Sequence, residues 1–432
     1  MKVKNLRWFI LSLVALATVI NYIDRNALGV MWPEISKDLG MDKDDYATII
    51  FSFTLAYAIG QSAFGKIFDA IGTRLGFVLS IVIWSVSIAL HAVAKTLTAF
   101  ALFRFTMGFG EAGNWPGATK ANAEWFPASE RAFAQGVFNS GAAVGAIVSI
   151  PLTAFLFGIF GWKATFVVIA AFGLVWIIPW VILYKGAPAS HPWLTDEERE
   201  YILSGQKKQA DEVIDDDGFA PGWFEMLTYK KSWSVILSRF FLDPVWWLFI
   251  GWLPIYLTEK FGFNVKEIGI YGWVPYVGAL LGALFGGWLS GYGIKNGWGI
   301  NKARKVVITL GGVIMFPALI FTAFASTPLV AVLLMAVILF GFQTAIGNIQ
   351  TLPSDFYAGK SVASLAGVSG TAAVLSVLAT TKLVPVITAE SYVPFFLLGA
   401  ALVPLAMLSI WIFAGNISPV TPRDIEAKAV EQ

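Results

Sequence analysis

Apolar runs of roughly 20 residues, the length a helix needs to cross a bilayer, recur along this chain. They fall at 8–31, 46–68, 75–94, 97–120, 132–156, 163–184, 233–257, 267–292, 305–325, 329–350, 361–386 and 392–414. A chain in lipid must satisfy its own backbone hydrogen bonds, which leaves helices or closed barrels. These runs are too long for barrel strands and do not alternate. The 432 residues are 57% hydrophobic and only 13% charged, where a soluble domain carries about 25% charged residues. The expected fold is therefore an all-α membrane protein with twelve transmembrane helices in two six-helix bundles, the lipid bilayer being its solvent.

Composition also narrows the function classes. The net charge of +2 gives no basis for nucleic-acid binding, and no cofactor is implied. The chain has no cysteine, which excludes disulfides and thiolate chemistry. His91 and His191 are its two histidines and lie far apart, so a histidine metal centre is not expected. Lys2, Lys4 and Arg7 lead directly into the first run, the pattern of an uncleaved first helix that starts in the cytosol.

One polar stretch divides the chain. The reading is an N-terminal bundle over 1–185, a cytoplasmic linker over 186–232 and a C-terminal bundle with a short tail over 233–432. In the linker, Thr195 and Glu198 form a capping box that predicts a short surface helix, and Asp215, Asp216 and Asp217 form an acidic patch. Lysine and arginine are more frequent in alternate loops, with Lys66, Arg74, Arg131, Lys185 and Arg304 on one side. That bias places both termini in the cytosol. The halves echo each other weakly. Glu124-Trp125-Phe126-Pro127 and Leu352-Pro353-Ser354-Asp355 each precede a base, at Arg131 and Lys360, and then a helix rich in small residues. Such a plan suits a transporter with its site at the midplane.

Asp24 and Arg25 lie inside the first apolar run. An ionisable group there costs about 2.5–3.5 kcal/mol on insertion scales, so two adjacent ones point to a site that handles charge. Arg104 and Glu111 are seven residues apart in span 4, hence on one face and about 10.5 Å apart along the axis. Four charges, two of each sign, then converge at similar depth, as a low-dielectric interior requires. Arg239 and Asp243 are spaced to pair in span 7, with a structural or gating role.

The segment Gly65-Lys66-Ile67-Phe68-Asp69-Ala70-Ile71-Gly72-Thr73-Arg74 fits Gly-x-x-x-Asp-x-x-Gly-x-Arg, and it resembles the loop signature of the major facilitator superfamily. A tight turn built on Gly65 and Gly72 would let Asp69 cap a neighbouring helix and pair with a base, with Arg74 closing the motif. Tyr22-Ile23-Asp24-Arg25-Asn26, Arg104-x-x-x-Gly108-x-Gly110-Glu111-Ala112 and Trp125-Phe126-Pro127 look like the anion:cation symporter family. Gly113-Asn114-Trp115-Pro116 and Asp243-Pro244-Val245-Trp246-Trp247 resemble the bacterial hexuronate carriers within it.

That resemblance implies a proton-coupled symporter for hexuronates in a bacterial inner membrane, a monomer whose partners are a sugar-acid anion and protons. Another organic anion, such as an aldonate, aldarate or aromatic acid, is the alternative. A membrane enzyme is not expected, because no nucleophile–base pair or metal cluster is present in the sequence. Arg25 is expected to bind the carboxylate, since a guanidinium forks onto it and stays charged. Asp24 and Glu111 are expected to carry protons, with Arg104 holding Glu111 ionised in one state. Tyr22, Tyr57 and Gln61 are placed to meet sugar hydroxyls. Asn139, Gln350, Ser369 and Thr371 are polar points on apolar helices, serving either ligand or helix–helix bonds. Trp246 and Trp247 are too deep for the interface and suit a sugar face. Lys120 is expected near the cytosolic mouth, meeting substrate or snorkelling. His91 is expected at the interface.

Overall fold

The computed structural model describes residues 2–210, 221–263, 271–357 and 361–420. The acidic patch Asp215–Asp217 and Lys360 lie outside the described residues. The first half contains α1 (Leu6–Leu39), α2 (Lys43–Leu90), α3 (Leu97–Glu111), α4 (Asn114–Trp125) and α5 (Ala128–Leu183). Helices α2 and α5 are too long for one crossing. Each reverses at a glycine, Gly72 (φ 81°, ψ 165°) and Gly161 (φ 71°, ψ 170°). A side chain would be strained at these angles, so each turn is made where no Cβ stands in the way. Both helices therefore supply two crossings.

Span 4 departs from the single helix expected over 97–120. It breaks at Ala112–Gly113 and resumes as α4, which runs to Trp125. Pro116 has no N–H to donate to the Ala112 carbonyl, so the ladder is interrupted there. The break leaves Glu111 as the last residue of α3, in the middle of the bundle.

Between the halves lie α6 (Asp196–Ala210) and α7 (Trp223–Met226). The second half contains α8 (Lys230–Phe261), α9 (Val274–Lys295), α10 (Ile300–Ala323), α11 (Pro328–Ile349), α12 (Leu352–Phe356), α13 (Val362–Ile387) and α14 (Val393–Phe413). With α3 and α4 forming one crossing, and α12 a short continuation of α11, the described residues supply the twelve expected crossings. Each half has its own apolar core. One packs around Phe77, Trp84 and Trp180, the other around Phe249, Tyr256 and Phe396. Outside these cores, Phe155, Val175, Ile178, Val313, Phe321 and Ile412 are all more than half exposed. Lipid tails are as apolar as these side chains, so the outer face matches its solvent.

One feature differs from the sequence expectation. Thr195 Oγ1 does accept from the Glu198 amide at 3.3 Å, as a capping residue should. The Glu198 carboxylate, however, turns to the start of α1 instead of completing the box. It accepts from the Leu6 and Arg7 amides (3.1 and 3.3 Å) and from Arg7 Nη1 (2.9 Å). There it meets two unpaired amides at the α1 N-terminus and the Arg7 guanidinium, more donors than the single N-cap amide of its own helix would offer. His91 lies just past the end of α2, in the short turn His91–Val93. It is fully buried, its Nδ1 is 2.8 Å from the Ser87 carbonyl oxygen, and Phe100, Phe103 and Phe166 surround its ring.

The halves close on each other at the face where the chain begins. A Cβ at Gly136 would overlap the Ala283 carbonyl oxygen, and one at Gly287 would stand 2.5 Å from the Ala132 carbonyl oxygen. Small residues let the α5 and α9 backbones touch.

Candidate functional site

A cavity of about 60 Å³ lies between the two halves. Tyr22 and Arg25 of α1, Tyr57 and Gln61 of α2, Trp115 of α4 and Asn139 of α5 line it from the first half. Arg239, Asp243, Trp246 and Trp247 of α8, Gln343 of α11 and Gln350 just beyond it line it from the second.

The helical spacing of α1 explains its contribution. Asn21 and Tyr22 lie four and three residues before Arg25, so both neighbour it on the helix surface. Asn21 Oδ1 accepts from Arg25 Nη2 at 3.1 Å. Arg25 also reaches across to the end of α3, where Glu111 Oε2 lies 3.0 Å from its Nε and 2.9 Å from its Nη2. Glu111 is fully buried, and its Oε1 has no hydrogen-bond partner among the described residues. The rings of Tyr57, Tyr22, Phe53 and Trp247 surround the guanidinium at 4.9, 5.1, 5.2 and 6.0 Å. Such rings favour a cation by their quadrupole. Arg25 is thus a fixed, partly desolvated cation at the cavity wall, held by a carboxylate behind it.

Asp24 points the other way, into the first half. It is fully buried, and neither carboxyl oxygen has a hydrogen-bond partner among the described residues. Arg104 donates from Nη2 to the Arg25 carbonyl oxygen at 2.6 Å and lies 5.1 Å from the Phe53 ring. Among the described residues, no ion pair joins Arg104 to Glu111. The four charges converge as expected, but the close pair is Arg25–Glu111, and Arg104 sits behind the wall of the cavity.

The floor of the cavity joins the halves. Gln350 Oε1 accepts from Asn139 Nδ2 and Gln135 Nε2, both at 2.9 Å, and Gln135 Oε1 accepts from Asn122 Nδ2 at 2.9 Å. On the second-half wall, Trp246 stacks on Phe342 with centroids 5.5 Å apart. Arg239 Nη2 lies 2.9 Å from Asp243 Oδ2, and Arg239 Nη1 donates to Ser369 Oγ at 3.2 Å.

Below the floor, toward the face where the chain begins, buried charges hold the halves together. Asp69 Oδ1 pairs with Lys120 Nζ at 2.7 Å, and its carboxylate accepts from the Ser364 amide (2.7 Å) and the Ala363 amide (3.4 Å) at the start of α13. Asp69 thus caps a neighbouring helix and pairs with a base, but that base, Lys120, comes from helix α4 and not from another loop. Gly65 allows the approach, since a Cβ there would stand 2.5 Å from the Ala363 carbonyl oxygen. Arg74 bonds within the first half, to the Val181 carbonyl oxygen at 2.9 Å. A second cluster lies nearby. Asp355 Oδ2 pairs with Arg304 Nε at 2.8 Å, and its Oδ1 lies 3.6 Å from Arg131 Nη1. Arg304 Nη2 donates to the Ala128 carbonyl oxygen at 3.0 Å and so ties the second half to the first.

The structure thus brings Tyr22, Arg25, Tyr57, Asn139, Trp246, Trp247 and Gln350 to one cavity. It places others elsewhere. Lys120 neither snorkels nor faces the cavity, because Asp69 holds it. Thr371 bonds Ser62 and the Ala58 carbonyl oxygen, both at 2.7 Å, and joins α2 to α13. Ser369 reaches the cavity only through Arg239. Trp115 and Gln343 are cavity residues that their sequence context does not single out. Gln343 carries the same signal as Gln350, a polar side chain in an apolar run. Trp115 stands in a motif that assigns it no role.

A sequence model described as Major Facilitator Superfamily matches residues 14–381. The chain is 34% identical over 422 residues to the "Hexuronate transporter" of Escherichia coli (strain K12), covering 96% of this chain and 95% of that one. It is also 34% identical over 316 residues to the "Galacturonate transporter" of Dickeya chrysanthemi, covering 73% of this chain and 90% of that one. Among solved structures, the proton:xylose symporter XylE bound to 6-bromo-6-deoxy-D-glucose superposes with a TM-score of 0.73 at 14% identity, covering 98% of both chains. The chain belongs to the Major Facilitator Superfamily of multi-pass membrane transporters.

Proposed function

We propose that this protein imports hexuronates such as glucuronate and galacturonate together with protons, by alternating access of its two bundles around the central cavity. The observation that carries the reading is Arg25, whose guanidinium at the cavity wall is boxed by aromatic rings and held from behind by Glu111. Its relatives named for hexuronate and galacturonate transport supply the substrate class.

The geometry suggests how a proton and an anion are linked. Glu111 and a substrate carboxylate compete for the same guanidinium. A proton on Glu111 frees Arg25 to take the substrate, and loss of that proton returns Arg25 to Glu111. Asp24 has no hydrogen-bond partner for either oxygen among the described residues, and an ionised carboxylate in such surroundings is costly. That suits a second group that carries a proton. Tyr22, Tyr57, Gln61, Asn139 and Gln350 supply bonds to sugar hydroxyls, and Trp246 and Trp247 supply apolar faces. The Asp69–Lys120 and Asp355–Arg304 clusters close the cytosolic side, which is the face where the chain begins. This orientation rests on the lysine and arginine bias of the loops. The protein works as a monomer in a bacterial inner membrane.

Competition separates hexuronates from the neighbouring acids. In proteoliposomes, uptake of labelled glucuronate should be suppressed by excess galacturonate and little affected by galactonate. Galactonate uptake without glucuronate uptake would overturn the substrate while leaving the anion site.

A further inference from the structure

Two guanidinium groups line the cavity, and each has its own carboxylate. Arg25 is paired with Glu111 (2.9 Å), and Arg239, on the opposite half, is paired with Asp243 (2.9 Å). Both members of the second pair line the cavity, and each is at most a tenth exposed. Neither Arg239 Nε nor Asp243 Oδ1 has a hydrogen-bond partner among the described residues. The pair is therefore not saturated and faces the space a ligand would fill. Packing alone does not account for it. A buried ion pair is often no more stable than apolar side chains of the same volume.

We infer that the Arg239–Asp243 pair sets the charge of ligand the cavity accepts, admitting acids with one carboxylate and rejecting those with two. This rests on the sugar-acid reading above. Six groups set the charge in and around the cavity: Asp24, Arg25, Arg104, Glu111, Arg239 and Asp243. With all six ionised, the three acids and three bases sum to zero, and the charge balance is drawn for one proton per cycle, carried by either Glu111 or Asp24. One monocarboxylate and one proton keep the loaded site neutral. A dicarboxylate entering with one proton leaves one uncompensated negative charge in a low-dielectric interior, which is costly. Its second carboxylate would also meet Asp243 instead of a free cation. Removing the Asp243 charge reverses this. Arg239 becomes available, and the neutral loaded state is then the one with a dicarboxylate and one proton.

The test uses glucuronate and glucarate, which share a carbon skeleton but differ at C1, where glucarate has a second carboxylate. Binding and uptake of both are measured on the full chain in proteoliposomes. The wild type should favour glucuronate by at least tenfold, and Asp243→Asn should shift the glucarate-to-glucuronate ratio by at least tenfold toward glucarate. Adding Arg239→Gln to Asp243→Asn should cancel the shift, because the freed cation is gone. If Asp243→Asn does not fold, Gln343→Arg adds a cation to the same wall with the pair intact and should move the ratio in the same direction. An unchanged ratio in a folded Asp243→Asn or Gln343→Arg protein that still takes glucuronate would overturn the inference. Failure of the wild type to take glucuronate at all would instead overturn the substrate reading.

Discussion

Arg25→Ala should abolish concentrative uptake of glucuronate, and Arg25→Lys should not restore it. Truncating one partner of a buried, hydrogen-bonded charge pair costs about 2–5 kcal/mol or more, so binding should weaken by at least about thirtyfold. The lysine variant separates charge from shape. It keeps the positive charge but loses the planar fork that holds Glu111 through Nε and Nη2 at 3.0 and 2.9 Å. The aromatic box adds to the difference, because an ammonium is more strongly hydrated than a guanidinium and stacks less well on Tyr57 and Tyr22. Uptake and ligand-dependent thermal shift on both variants check this. Near-normal affinity in Arg25→Lys would mean that Arg25 acts as a point charge and that the carboxylate is oriented elsewhere.

Glu111→Gln should remove the response to a proton gradient yet leave exchange of internal for external glucuronate. Glutamine imitates the protonated acid: it has nearly the same shape, but it no longer claims Arg25 as an ion-pair partner. The substrate then finds Arg25 free at any pH, which permits exchange. The empty carrier, however, lacks the ionised Glu111 that neutralises Arg25, so its return is impeded. Net gradient-driven uptake should fall by about two to four orders of magnitude, because an uncompensated buried charge costs about 3–5 kcal/mol. Gradient-driven uptake that survives in this variant would remove Glu111 from the coupling.

The fold is largely legible in the amino-acid sequence, because apolar length is a direct consequence of bilayer thickness. The cavity is legible in part, for reasons that differ by residue. Asp24 and Arg25 stand out because charge within an apolar run is costly whatever surrounds it. Pairing is harder to read. Helical spacing puts Arg104 and Glu111 on one face, but α3 ends at Glu111, and the glutamate is met there by Arg25 from α1. Contacts between helices depend on packing angles that periodicity within one helix does not encode. The same limit applies to Lys120 and Asp69. Each is conspicuous in its own segment, but they lie 51 residues apart on different helices, and nothing in either segment matches one to the other. A lone hydroxyl such as Thr371 reads the same whether it meets a ligand or glues helices, and here it glues α2 to α13. Trp115 shows the converse, a cavity residue whose signal does not differ from that of the core.

Coupling of a proton to a hexuronate at one shared guanidinium is the central claim, and the movement of protons tests it most directly. The protein is reconstituted in liposomes that enclose a pH-sensitive dye, and unlabelled glucuronate is added outside with no imposed gradient. The lumen should acidify as the sugar acid enters, and the Glu111→Gln variant should give no acidification. Entry of labelled glucuronate into the same liposomes without any change in luminal pH would contradict the account.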